Sequence, residues 1–131
     1  MLSKGLKDEA NQKLNELIGK MTEIEFVPDL WEREQRQRID DKLQEILSFG
    51  LQDIESMNSE SLIEKLKAQD FDFSNFEQFG DLLLKIIPLE AEIYESHLAT
   101  SAVAIFEYIQ KESKTFSFSI IQKINQAKAL V

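Results

Sequence analysis

LEAEIYESHLATSAVAIFEYIQKESKTF, Leu89 to Phe116, decides the fold class of this chain. Its apolar residues recur at three- and four-residue spacings, its interior holds no Gly or Pro, and small residues (Ala91, Ala99, Ala102) alternate with aromatic ones (Tyr94, Phe106). That pattern is helical. The polar run around Ser96 and His97 divides the stretch into two arms, a first ending near His97 and a second from about Ala99 to Glu112, so a helical hairpin is expected.

Helical periodicity continues outward in both directions. Upstream, Phe76, Phe79, Leu82, Leu83, Ile86, Leu89 and Ile93 form one apolar set, with Ser74 and Glu77 at capping-box spacing before it. Pro88 removes a backbone donor inside this run and predicts a kink or a division into 75–87 and 89–96. Downstream, Ile120, Ile121, Ile124 and Ala127 mark a last helix over 117–130. At the other end, Leu6, Ala10, Leu14, Leu17, Ile18 and Met21 give a helix over 3–21, weakened near its end by Gly19. A second begins at Pro28 or Asp29, carries Leu30, Trp31, Ile39, Leu43, Ile46 and Leu47, and meets Gly50 where a left-handed C-terminal cap belongs. Between them LQDIESMNSESLIEKLKAQ reads as a short turn of helix and then a helix over 59–68, starting at Asn58 or Ser61. Phe71, Phe73, Phe76 and Phe79 pin the next loop to the core. FSFSI, 116–120, alternates like a strand but has no partner strand. The expectation is an all-α domain over 1–131, a bundle of five to seven helices in which 1–50 form an N-terminal pair and 51–131 short helices, a hairpin and a C-terminal capping helix.

The 131 residues suffice for one core. There is no cysteine, which excludes disulfides, thiolate metal sites and thiol catalysis and fits a reducing compartment. With no apolar run of signal-peptide or membrane-spanning length, the expected location is the cytoplasm. The formal charge is −9, and 70–95 hold seven acids against Lys85 alone. That balance disfavours nucleic acid and anionic membranes as partners.

Candidate chemistry is thin. His97 is the single histidine; it lacks a nucleophile elbow, and Tyr94 stands where a di-iron bundle needs Glu. It reads as a helix-end side chain. Asp70, Asp72, Ser74, the Phe76 carbonyl, Gln78 and Asp81 fall at calcium-loop spacings, but Asn75 replaces the turn Gly and Asp81 the bidentate Glu. A capped helix start explains the same residues. Gly5, Gly19, Gly50 and Gly80 are isolated, so no phosphate cradle exists. No catalytic, cofactor or metal site is expected.

Small-then-aromatic pairs, Ala91 with Tyr94 and Ala102 with Phe106, make the hairpin resemble one degenerate tetratricopeptide-like unit, although the Trp and Leu at the start of that repeat and its closing Pro are missing. The order of segments from Ile46 to Gln122 also resembles an uncharacterised bacterial family of small helical proteins. The resemblance implies a fold and, through the repeat, a groove lined by Pro88, Glu92, Glu95 and Ser96, acidic and suited to a basic peptide or protein surface. In the polar run EREQRQR, Arg33, Arg36 and Arg38 beside Trp31 form a second candidate contact. The expected function is a non-enzymatic protein-interaction or structural module, with Glu92, Glu95, Ser96, Trp31, Arg33 and Arg36 as partner-binding residues. The alternative is an acidic inhibitor or immunity protein that neutralises a basic toxin or nuclease through Glu90, Glu92 and Glu95. A homodimer through the first helix is compatible with either.

Overall fold

A computed structural model describes residues 2–114 and 117–131, with side chains from Asp8 onward. Leu6 and Phe116, used above as pattern residues, have side chains outside the described set. The order is α1 (Leu2–Glu23), a single turn α2 (Pro28–Leu30) running through a π-helical turn (Trp31–Gln35) into α3 (Arg36–Leu47), α4 (Leu51–Ser56), α5 (Ser59–Ala68), α6 (Phe73–Ile86), a 3-10 turn (Ile87–Leu89), α7 (Glu92–Ser113) and α8 (Phe118–Lys128). With Pro28–Leu47 counted as one rod, these are seven helices among the described residues, with no strand.

The main correction concerns the opening stretch. Its two expected arms are one 22-residue helix, α7. The polar residues taken for a turn lie within it: Thr100 Oγ1 donates back to the Ser96 carbonyl at 2.9 Å, and Leu98 and Ala99 are fully buried. Nothing between Glu92 and Ser113 breaks a helix, and its apolar residues are spread around it because α7 packs on α4, α5, α6 and α8 at once. A helix buried on several sides shows no single stripe. The chain reverses instead at Pro88, inside the 3-10 turn, so the antiparallel pair is α6 with α7.

That pair is set by a glycine. A Cβ on Gly80 would lie 2.6 Å from Phe106 Cζ, so α6 and α7 approach as closely as they do only because position 80 has no side chain. Phe106 is fully buried, and Lys123 of α8 holds its ammonium 5.9 Å from the ring centroid on the way to Glu77 (2.6 Å) and Asp81 (3.0 Å) of α6. Helices α6, α7 and α8 are thus locked around one ring. Burial raises the Asp81 carboxyl above its usual range although Lys123 pulls it down, while Glu77 and Asp81 raise Lys123 against its own burial.

Helix α1 crosses α6 through side-chain amides. Asn75 is fully buried; it donates to the Asn11 carbonyl (2.9 Å) and Asn15 Oδ1 (2.6 Å) and accepts from Asn11 Nδ2 (2.6 Å). Asn75 also completes the cap of α6: its Oδ1 accepts from Asp72 N at 2.9 Å, and Asp72 Oδ1 accepts from Asn75 N at 2.8 Å. The helix therefore starts at Asp72, not at the Ser74–Glu77 pair. Two other ends also differ from expectation. The left-handed residue after α3 is Ser48 (φ 68°), and Gly50 instead starts α4, where the carboxylates of Asp40 and Asp53 accept from the amides of Leu51 (2.7 Å) and Gly50 (2.9 Å). Asp40 Oδ1 would lie 2.1 Å from a Cβ at position 50, which explains the glycine. Ser117 does cap α8, and Asn58 caps α5. Of the four phenylalanines, Phe71, Phe76 and Phe79 are buried as expected; Phe73 is exposed.

Replacing a helical glycine by alanine ordinarily stabilises by about 1 kcal/mol. Gly19, whose added Cβ would meet only Gln78 Oε1 at 3.8 Å, should follow that rule in α1. Gly80→Ala should instead destabilise by about 1 to 3 kcal/mol, because the new methyl overpacks against a buried ring. Urea unfolding of the two variants checks the opposite signs.

Candidate functional site

The surface at the start of α7 stands on a buried cluster of charges. Arg36, the first residue of α3, points toward two acids: its Nη2 donates to Glu55 Oε1 of α4 at 2.5 Å, and its Nε donates to Glu90 Oε1 at 2.9 Å. Glu90 lies just after the 3-10 turn and before α7. Trp31, 1% exposed, adds its indole N–H to the same Glu90 oxygen at 2.9 Å and stacks edge-on against Phe26 at 5.2 Å. The π-turn at Trp31–Gln35 lies between the indole and the guanidinium, which meet at a single carboxylate oxygen.

The two carboxyl side chains are only 4% and 2% exposed, and one guanidinium serves both. Burial, followed by the hydrogen bond and charge of Glu90, pushes Glu55 up to about 7 against the pull of Arg36. Glu55 Oε2 has no donor, so a proton on it would let it donate toward Glu90 and relieve the carboxylate pair. Burial works against the charge of Arg36, but the two acids outweigh it and hold the guanidinium above the ordinary arginine value.

This arrangement also replaces a helix cap. Ala91, at the N-cap of α7, has no side chain to satisfy the first amides. The clamp on Glu90 fixes the chain one residue earlier, and the acids Glu92 and Glu95 in the first turn complement the positive end of the helix. His97, one turn further, is not at a helix end: it sits inside α7, with Nε2 3.1 Å from the Ile54 carbonyl oxygen of α4. Its donor is thus used in docking α4 on α7.

Of the six expected contact residues, Trp31 is internal, and Arg36, its side chain 36% exposed, is committed to Glu55 and Glu90. Trp31 and Arg36 hold the fold together, and burial of the indole removes it from any partner contact. Arg33, Glu92 and Ser96 are exposed and Glu95 is half-buried. What the sequence reading missed is Ile93, which was assigned to the core face and is 79% exposed, beside Tyr94 at 38%. A shallow hollow of about 170 Å3 lies beside Tyr94, lined also by Leu89, Ala91 and Glu32 over the Trp31–Arg36–Glu90 floor. The two-armed hairpin whose groove Pro88, Glu92, Glu95 and Ser96 were expected to line is not formed, because both arms belong to the single helix α7, and Phe106 is buried in the core. The exposure of Ile93 could have been read from its neighbours: Glu92, Ile93 and Ser96 share a face with no other large apolar residue.

The calcium spacing does not form a loop. From Phe73 the segment is helix, Asp72 caps it, and Asp81 pairs with Lys123. No group of three acid or histidine side chains suited to a metal occurs among the described residues. Nor is any described helix long and apolar enough to cross a membrane. No protein-family profile, curated protein or solved structure matches the chain.

Because Glu55 is raised from an ordinary value of 4.5 to about 7, the native state binds more protons than the unfolded chain between those values. Its stability contribution is complete below the lower value and is lost as pH rises through the upper one. Urea midpoints of the wild type should fall between pH 5 and pH 8 more steeply than those of Glu55→Gln, which keeps a neutral hydrogen-bonding group. At pH 8 the variant should be at least as stable as the wild type.

Proposed function

We propose that this chain is a non-enzymatic interaction module whose docking face is the start of α7, and that its partner is a basic protein segment carrying an apolar anchor. The observation that carries the reading is Ile93, a large aliphatic side chain 79% exposed on a helix whose start is clamped from below. Exposed Ile93, with Tyr94 at the wall of a hollow the size of one side chain, offers the apolar centre of a small contact, and the acidic rim is Glu32 at the hollow with Glu92 and Glu95 in the first turn of α7. Over 70–95 the chain has seven acids and one lysine, which favours a partner of opposite sign and speeds encounter. The clamp beneath the face means little ordering accompanies binding. The lack of cysteine supports a reducing, cytoplasmic setting.

The same rim serves the narrower reading in which the basic partner is a toxin or nuclease and docking blocks it. That reading requires inhibition in addition to binding, and titrating the chain into a basic ribonuclease assay separates the two.

A panel of synthetic Lys/Arg-rich peptides, with and without a single Leu or Phe anchor, gives the direct test by biolayer interferometry. Anchored basic peptides should bind, should weaken as salt is raised, and should lose at least tenfold in affinity with Ile93→Asp or Tyr94→Ala, about 1.4 kcal/mol or more. Equal binding by the wild type and both variants would remove the proposed face.

A further inference from the structure

A second opening lies elsewhere, between α1 and α3. It is a cleft of about 460 Å3, within the range of small-molecule sites. Its floor is aliphatic: Leu17 and Met21 from α1 and Ile39 from α3, with Ile24 at the mouth. Trp31, Ile39, Leu43 and Leu47 are buried along the rod, so the rod is anchored to the rest of the core and the cleft does not arise from a detached helix.

The edge of the cleft is charged in a sense opposite to the chain as a whole. Lys20, Arg38 and Lys42 line it, all exposed, in a protein of formal charge −9. Asp41 and Glu45 also line it, but each is engaged: Gln37 donates to Asp41 at 2.8 Å, and Lys42 lies 3.7 Å from Glu45. Arg38 reaches Glu34 only at 3.9 Å. With Arg38 paired to Glu34 and Lys42 to Glu45, Lys20 is the lining cation left with no acid partner among the described residues beside an apolar slot.

A helix from a partner or a second copy is a poor occupant. A stable protein interface covers roughly 800 Å2 on each side, and four aliphatic side chains in a slot do not approach that area. A single hydrocarbon chain with one negative head matches both parts of the cleft: the chain covers Leu17, Met21, Ile24 and Ile39, and the head meets Lys20 with Arg38 or Lys42 in support. We propose that the α1–α3 cleft is a binding site for a free fatty acid, held by its carboxylate at Lys20. This site is independent of the docking face on α7, and either can fail without the other.

Isothermal titration with dodecanoate below its micelle concentration tests the site, beside dodecyltrimethylammonium, which has the same tail and the opposite charge. Saturable binding of one dodecanoate per chain is expected, at least tenfold tighter than the cation. Lys20→Glu should weaken it at least fivefold, and Leu17→Trp, which fills the slot, should abolish it. Ile24→Asp, a change at a partly exposed position, provides the same loss if the tryptophan variant does not fold. Equal affinity for the two head groups, unsaturable uptake, or binding unchanged in the folded variants would overturn the proposal. Co-sedimentation with phosphatidylglycerol vesicles in the absence of dodecanoate binding would also overturn it, by placing the cations at a membrane instead.

Discussion

One guanidinium shared by two buried carboxyls holds the start of α7 against α3 and α4. Arg36 ties α3 to Glu55 of α4 and to Glu90 at the entry of α7, and Trp31 adds a third donor to the same point. Buried charges are worth little when compared with apolar packing of the same volume, but removing one partner leaves the others uncompensated and costs several kcal/mol. The cluster therefore fixes position more than it adds stability. Because α7 begins at an uncapped alanine, loss of the cluster would leave the exposed pair Ile93 and Tyr94 on a fraying first turn.

A second constraint operates at the other end of α7. The Phe106 ring rests on Gly80, with Lys123 above it, and this contact sets how closely α6, α7 and α8 approach. Together the two points determine the direction of α7 through the bundle: the ring fixes its middle against α6, and the charge cluster fixes its start against α3 and α4. The proposed docking face adjoins Trp31 and Arg36 of the Pro28–Leu47 rod, and the α1–α3 cleft adjoins Arg38 and Ile39 further along it.

The helical class was legible because spacing and the scarcity of Gly and Pro depend only on local sequence. The 59–68 helix and the final helix emerged nearly at their observed bounds, since Asn58 and Ser117 cap them by local hydrogen bonds. The division of α7 was misplaced for a tertiary reason: a helix contacted on several sides has apolar residues all round, and its polar Ser96–His97–Thr100 strip resembles a turn until α4 is seen to accept a bond from His97. Gly50 was misread because its glycine answers to Asp40, ten residues earlier, and not to a left-handed backbone. Trp31 and Arg36 looked like a surface cluster because their partner Glu90 is more than fifty residues away. Glu92 and Glu95 fall in the first turn of α7, but the exposed Ile93 between them was assigned to the core because apolar character alone does not say which way a side chain faces.

The charge cluster can be observed through a single proton. Trp31 is the only tryptophan, so its indole N–H gives one identifiable NMR resonance. Its solvent exchange and chemical shift, followed from pH 5 to pH 9, report directly on the bond to Glu90. A slowly exchanging resonance whose shift moves with a midpoint near pH 7, as the Glu55–Glu90 pair loses its proton, is the expected result. A rapidly exchanging indole with the shift of free tryptophan and no pH dependence would contradict the clamp and, with it, the fixed start of α7 on which the proposed docking face rests.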